Sequence, residues 1–420
     1  MGQYTSVFQA LLGIFIFVLV PWILSENRSH VRLKAILGGL LTQFVLAFFI
    51  LKISIIQKVF LLLSRGINEL KLATLEGTKF VFGYLGGAEL PFIMKEGCNS
   101  FVFAFHALPM IIVISALSML LFHWKVLPTI VRFFSWGLSK TLNVGGALGV
   151  CCAAKVFLGQ TDAPLLIRPY LEKISRSELF TIMTAGMATT SATIMVLYGS
   201  ILEQSIANPV SHILTASIIS IPAAITISRI LIPHEGNDTT GEMVIPYHFT
   251  GSMEAVSQGA TDGMKLFLNI IAMLIVALAL VSLVNSILSL IPLGEGKSLQ
   301  LQTIFGWMMS PVTWLMGIPW SEAQTAGNLL GTKTVLNEVV AFISLADLPK
   351  GTLSPVTNLI MTYALCGFAN FSSIGIQIGG IGTMAPSRRH EIIQLGFRAL
   401  LAGTLASCLS GTMVGLLSAF

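Results

Sequence analysis

Three consecutive residues, Gln160, Thr161 and Asp162, place an amide, a hydroxyl and a carboxylate side by side in a chain that is otherwise apolar. Gly159 stands before them and Pro164 shortly after. An amide offers both a donor and an acceptor, and an ionised carboxylate accepts strongly. Neither is stable in hydrocarbon without partners. Glycine admits backbone angles that other residues resist, and proline lacks an N–H and disfavours helix in the residue before it. Broken backbone at membrane depth is tolerated only where protein buries it or a wet cavity lies against it. The stretch is therefore predicted to be the polar tip of a re-entrant hairpin. A second tip with a carboxylate, Asn337-Glu338, follows an apolar region broken by Pro311, Gly317, Pro319, Gly327 and Gly331. Two further apolar runs carry hydroxyls or amides near their middles: Thr189, Thr190, Ser191 and Thr193 in one, Asn370, Ser372 and Ser373 in the other.

These groups suit recognition of a neutral, hydroxyl-rich solute better than catalysis. No Gly-x-Ser-x-Gly with a partnered histidine and no His-Glu-x-x-His is present, and no P-loop links the chain to ATP. The reading is of a transporter and not an enzyme, with no cofactor and no bound metal. An anionic substrate would want arginine at the site, where this chain has Asp162 and Glu338. A two-hairpin transporter for another small polar solute remains the alternative, with an intramembrane enzyme behind it.

The elements that must position these groups follow from composition. Hydrophobic residues make up 54% and charged residues 10%, with a mean hydropathy of +0.84. A soluble domain has about a quarter of its residues charged, so the chain reads as an all-α polytopic membrane protein. Its small basic excess needs no nucleic acid, because positive-inside loops account for it. The five cysteines (Cys98, Cys151, Cys152, Cys366, Cys408) lack metal-type spacing and read as small buried hydrophobes.

About eight spans are expected: 7–24, 35–63, 100–123, 178–202, 210–232, 261–292, 354–378 and 392–419. Residues 64–99, which include Lys95 and Glu96, read as a non-spanning segment with a short surface helix. The interleaved basic and aromatic residues from Lys125 to Trp136 suit a helix lying in the interface. The loop with His234, Glu235, Asn237, Asp238, Glu242 and His248 is the longest polar insertion. Twelve basic residues (Arg28, Arg32, Lys34, Lys125, Arg132, Lys140, Arg168, Lys173, Arg176, Arg229, Arg388, Arg389) fall in loops assigned inside, against six outside (Arg65, Lys71, Lys79, Lys95, Lys297, Lys350). Both termini then face out. A broken polar hairpin followed by a helix with mid-membrane polar groups occurs twice, the pattern of an inverted repeat with a substrate site at its interface.

Gly159-Gln160-Thr161-Asp162-Ala163-Pro164-Leu165, Asn337-Glu338, Cys366-Gly367-Phe368-Ala369-Asn370 through Ser373, and Asn269 through Ile275 together resemble the concentrative nucleoside transporters, in order and spacing over nearly the whole chain. The resemblance implies a nucleoside importer of the inner (plasma) membrane, a homotrimer, working as an elevator. Residues 1–123 and 261–292 would be scaffold, with 124–260 and 293–420 forming the two halves of a transport domain. It implies that Gln160, Thr161 and Asp162 face the nucleobase with Ile194 packing nearby. Glu338, Asn370 and Ser373 would hold the ribose hydroxyls, and Phe368 would lie beside the sugar and base.

Two positions depart from the family pattern. Asp162 stands where glutamate is usual, a carboxylate one methylene shorter. Lys155 stands where sodium-coupled members have an asparagine that helps to ligate the ion. An ammonium has three donors and no acceptor, so it cannot coordinate sodium and would substitute for the ion. Coupling to protons, or no coupling, is the expectation.

Overall fold

Long apolar runs with hydrogen bonds closed within the segment are what hydrocarbon allows, and the computed structural model is helical throughout. It describes residues 2–93, 100–203, 205–234, 236, 239–247, 249–290 and 299–418; Lys95, Glu96, Cys98, Glu235, Asn237, Asp238, His248 and Lys297 lie outside these. Among the described residues there is no strand. Early helices are α1 (Gly2–Ile23), α2 (Leu33–Lys52), α3 (Ser54–Phe82), the single turn α4 (Phe103–His106) and α5 (Met110–His123). Then come α6 (Val126–Leu142), α7 (Gly146–Ala154), the single turn α8 (Asp162–Leu165), α9 (Arg176–Ala188), α10 (Ala192–Leu202) and α11 (Pro209–Leu231). After α12 (Ser252–Leu288) follow α13 (Leu301–Leu315), α14 (Trp320–Val335), α15 (Glu338–Ala346), α16 (Pro355–Leu365), α17 (Phe371–Met384) and α18 (Arg389–Ser418).

The succession α6 to α11 recurs as α13 to α18: a leading helix, a hairpin of two helices, a helix broken in its middle, and a long closing helix. The matching features are local. Ser175 caps α9 with a capping box, its Oγ accepting from Glu178 N (3.2 Å) while Ser175 N donates to Glu178 Oε2 (2.7 Å). Ser354 caps α16 in the corresponding place. α9 is cut from α10 by extended backbone at Thr189 and Ser191, and α16 from α17 by extended backbone at Cys366 and Asn370. The long helices α11 and α18 pack on each other and on α9.

Six segments among the described residues are long and apolar enough to cross a membrane: Leu33–Lys52, Phe103–His123, Arg176–Leu202, Pro209–Leu231, Ser252–Leu288 and Pro386–Ser418. The shorter apolar run Val7–Ile23 and the broken pair α16/α17 add to these. The chain is a multi-pass membrane protein. Several boundaries differ from expectation. The run 35–63 is interrupted at Ile53, and a 29-residue helix, α3, continues from there into the segment expected to be non-spanning. Its spaced Lys71, Glu76 and Lys79 stand among apolar residues and give it one polar face.

Helices in lipid associate through close van der Waals contact between small residues. α12 lies along α5 in this way. A Cβ on Gly263 would meet Ile112 Cα at 2.7 Å, and one on Gly259 would meet Ala116 Cα at 2.6 Å. Larger residues at either position would push the pair apart.

Candidate functional site

The two helix breaks meet. Gly367 sits at φ +144, a region that favours glycine, and a Cβ there would come within 2.8 Å of Ala188 O. The α16/α17 break can thus approach the end of α9 only because residue 367 has no side chain. Asn370 then serves as N-cap of α17. Its Oδ1 accepts from Ser373 N (2.9 Å) and from Ser372 Oγ (2.7 Å). Both acceptances orient the amide, so Nδ2 points the other way and donates to Glu338 Oε2 (2.9 Å).

Glu338 is buried and opens α15, where the helix dipole favours a carboxylate. Asn337 caps that helix, its Oδ1 accepting from Val340 N (3.0 Å). The second oxygen of Glu338 accepts from Tyr198 OH on α10 (2.7 Å). Tyr198 is itself fully buried and packs on Phe342, ring centroids 4.7 Å apart. A carboxylate has about four lone-pair sites, so two bonds leave capacity for further donors.

Gln160 is joined to this group through Ser373, since Gln160 Nε2 donates to Ser373 Oγ (3.2 Å). Gln377, one turn beyond Ser373, donates to Gln160 Oε1 (3.3 Å) and to Met183 O (2.9 Å). Tyr198, Glu338, Asn370, Ser373, Gln160 and Gln377 therefore form one connected polar group drawn from both halves of the chain. Gln377 Oε1 is buried and has no hydrogen-bond partner among the described residues. An unsatisfied buried acceptor costs about 1–3 kcal/mol, which a solute or water donor would relieve.

The remaining tip residues lie beside it. Gln160 is buried, Thr161 half-buried and Asp162 exposed. Thr161 Oγ1 lies 3.4 Å from Asp162 Oδ1, a weak contact. An exposed carboxylate thus stands next to a buried amide. Ile194, in the first turn of α10, and Phe368, in the α16/α17 break, are both buried.

Lys155 ends α7 and is fully buried, so it does not reach a membrane surface. Its Nζ donates to Gln160 O (2.6 Å) and closes the loop that carries the tip. Gly186 on α9 gives it room, because a Cβ there would stand 2.8 Å from Lys155 Nζ and 3.0 Å from Gln377 Nε2. Lys333, also fully buried, donates to Ala364 O (2.8 Å) at the end of α16. Cys151, Cys152, Cys366 and Cys408 are free and buried. No group of three or more metal-type side chains gathers among the described residues.

Tyr198 and Gln377 were not singled out by sequence reasoning. Each is one polar side chain inside an apolar helix, and only the fold shows what it meets. The signal that was available was their isolation, since a lone amide in an apolar run must find a partner.

Known proteins match this chain over most of its length. Residues 212–415 match the family model described as Na+ dependent nucleoside transporter C-terminus. Residues 12–85 match its N-terminus model, and 104–205 a model described as nucleoside recognition. An uncharacterized transporter of Bacillus subtilis, YutK, is 36% identical over 98% of this chain and 99% of its own. The nucleoside permease NupC of Helicobacter pylori is 32% identical over 98% of each chain. Solute carrier family 28 member 3 of Mus musculus is 33% identical over 97% of this chain, which spans 58% of that longer protein. Among solved structures, CNTnw in an inward-facing substrate-bound state superposes with a TM-score of 0.90 at 30% identity, covering 98% of each chain. A double variant of CNTnw in an outward-facing state gives 0.90 at 31% identity and the same coverage. The chain belongs to the concentrative nucleoside transporter family.

Proposed function

We propose that this protein imports nucleosides by alternating access and does so without sodium. The observation that carries the reading is the connected polar group Tyr198–Glu338–Asn370–Ser373–Gln160, built from both halves at the point where two broken helices meet. In this reading Gln160, Thr161 and Asp162 face the nucleobase, with Ile194 against it. Glu338, Asn370 and Ser373 take the ribose hydroxyls, and Phe368 packs beside sugar and base. Relatives named as nucleoside permeases support the substrate class, and inward- and outward-facing structures of CNTnw support alternating access. The finer reading is an elevator in the inner membrane. A transport domain of 124–260 and 293–420 slides on a scaffold of 1–123 and 261–292, in a homotrimer with both termini outside.

Sodium independence rests on Lys155. The family models are described as sodium-dependent, yet here a buried ammonium stands where the family resemblance puts an oxygen ligand. Repulsion between unit charges about 4 Å apart is roughly 4 kcal/mol at an effective dielectric near 20, enough to empty a weak cation site. A proton gradient, or the nucleoside gradient itself, is then left as the driving force.

The test is uptake of labelled uridine into proteoliposomes with sodium replaced by choline at fixed pH, for wild type and Lys155→Asn. Equal uptake by the wild type in both salts is expected, with sodium stimulation appearing only in the variant. Strong sodium stimulation of the wild type would refute the sodium claim. Uptake of an amino acid and of no nucleoside would refute the substrate.

A further inference from the structure

Gln377 lies on α17 one turn after Ser373 and is fully buried. A carboxamide can sit in either of two orientations that exchange its oxygen and its NH2. Met183 O fixes the choice for Gln377. That carbonyl belongs to α9 and can only accept, so the Nε2 that donates to it (2.9 Å) must face it. Turned over, Gln377 would set oxygen against oxygen. Its Oε1, on the other side of the amide, is buried with no hydrogen-bond partner among the described residues, so nothing there favours the turned form.

The same NH2 also donates to Gln160 Oε1 (3.3 Å), and this decides the orientation of Gln160. The other contact of Gln160 cannot decide it. Gln160 Nε2 donates to Ser373 Oγ (3.2 Å), and a hydroxyl accepts or donates as its partner requires. Turned over, Gln160 would still bond Ser373, but its NH2 would face the NH2 of Gln377. A buried donor left without an acceptor is disfavoured roughly 5- to 140-fold. The orientation of Gln160 therefore traces through Gln377 to one backbone carbonyl.

Among the three tip side chains, an ionised Asp162 only accepts, and the Thr161 hydroxyl adapts. Gln160 is the one whose donor and acceptor have separate, fixed places. After its bonds to the protein it keeps one lone pair on Oε1 and one N–H on Nε2. Nucleobases of one outline differ in the matching way. Uracil carries a carbonyl beside a ring N–H, and cytosine carries an amino group beside a bare ring nitrogen. A site whose buried hydrogen-bonding groups match one such pattern leaves them unpaired against the other.

We propose that Gln377 is a specificity-determining positioning residue: it holds Gln160 in one orientation and so selects between oxo and amino pyrimidine nucleosides, given the reading above that Gln160 faces the nucleobase. The same orientation makes Ser373 Oγ an acceptor from Gln160, which leaves its hydrogen for a solute oxygen.

The experiment is calorimetric titration of the purified full chain in detergent with uridine and with cytidine, for wild type, Gln377→Met, Gln377→Glu and Gln160→Leu. The readout is the ratio of the two dissociation constants, which a change in stability alone does not move. The wild type should separate the two nucleosides about tenfold or more. Gln377→Met removes the NH2 at similar volume and frees Gln160 to turn, so the ratio should fall at least about fivefold. Gln377→Glu should shift it at least as far in the same direction. Ionised, or protonated toward Met183 O, its carboxyl gives Gln160 only an acceptor; it also carries the comparison if Gln377→Met does not fold. A wild type that binds the two nucleosides alike overturns the proposal, as does a ratio that neither Gln377 variant moves. Gln160→Leu tells apart the two ways of failing. If it abolishes a ratio that the Gln377 variants leave intact, Gln160 reads the base without Gln377 and only the inference falls. If it leaves the ratio intact, the base-facing reading of Gln160 falls as well, and binding of neither nucleoside would refute the substrate.

Discussion

Replacing Glu338 with glutamine separates the substrate role of its carboxylate from its place in the fold. Asn370 Oδ1 accepts from both Ser373 N and Ser372 Oγ, so its amide cannot flip. A glutamine at 338 must then turn its oxygen toward Asn370 Nδ2 and its NH2 toward Tyr198, whose hydroxyl can reverse from donor to acceptor. Both protein contacts survive, and the melting temperature should move little. What disappears is the charge that strengthens bonds from solute hydroxyls. Hydrogen bonds to charged groups contribute about 1.5–3 kcal/mol, so uridine affinity should fall roughly 10- to 150-fold. Calorimetric titration of wild type and variant with uridine and 3′-deoxyuridine completes a double-mutant cycle. If Glu338 holds the ribose, the deoxy sugar costs the wild type most of that factor and costs the variant little. Losses that simply add, or a variant melting far below the wild type, would show that Glu338 serves the fold and leave the sugar contact without support.

Tyr198→Phe keeps the ring against Phe342 but removes the donor to Glu338 Oε1; it should raise the KM for uridine several-fold with Vmax nearly unchanged, and an unaltered KM would exclude a positioning role. Gly186→Ala should lower stability by about 1–3 kcal/mol through overpacking, since its Cβ would crowd Lys155 Nζ and Gln377 Nε2. Adding Lys155→Asn should recover much of that loss, and melting that stays low in the double variant would place the clash elsewhere. At the basic loops, Glu26 accepts from Arg176 (3.0 Å) and pairs with Arg398. Burial pushes its carboxyl up, but the two arginines outweigh this and hold it below the usual carboxylate range. A depressed pKa stabilises the fold above the unfolded-state value, about 4.3, and that stabilisation is lost as pH falls through the folded value. The melting deficit of Glu26→Gln should be small, under about 1 kcal/mol for so exposed a network. It should stay constant from pH 6 to 8 and vanish in acid; a deficit that grew on acidification would reverse the assigned sign.

How much of this was legible in the sequence depended on whether the signal was local. The first tip could be read because Gly159, three polar residues and Pro164 are neighbours, and backbone chemistry alone argues for a break there. The second carboxylate could be read because Asn337-Glu338 follows an apolar region broken by Pro311, Gly317, Pro319, Gly327 and Gly331. The break between α9 and α10 was missed. The run 178–202 contains no proline, and Gly186, Gly199 and Thr189-Thr190-Ser191 are all residues that a continuous helix could equally carry facing a neighbour. Ser191 at the N-cap of α10 is the one sign that favours a break. Tyr198 and Gln377 could not have been assigned, because their partners Glu338 and Gln160 lie 140 and 217 residues away in sequence. The end of α2 at Lys52 has no glycine or proline beside it, and nothing in the local sequence explains it.

The two buried lysines show how one device can serve two ends. A helix that stops at membrane depth leaves carbonyls with no intrahelical donor, and an ammonium with three donors can take one of them. Lys333 does this for Ala364 at the end of α16, and Lys155 does it for Gln160 inside the first tip. Each also brings a positive charge to a half of the site that contains one carboxylate, Glu338 or Asp162. With all four groups charged, the count is two cations and two anions. Where a transporter relies on a bound sodium ion for part of that compensation, its empty form is left negative and the ion must arrive before the helix breaks are neutral. Here the compensation is covalently attached, as the side chains of Lys155 and Lys333. Under the sodium-free reading proposed above, these two lysines supply the compensation that a bound cation would otherwise give to the breaks.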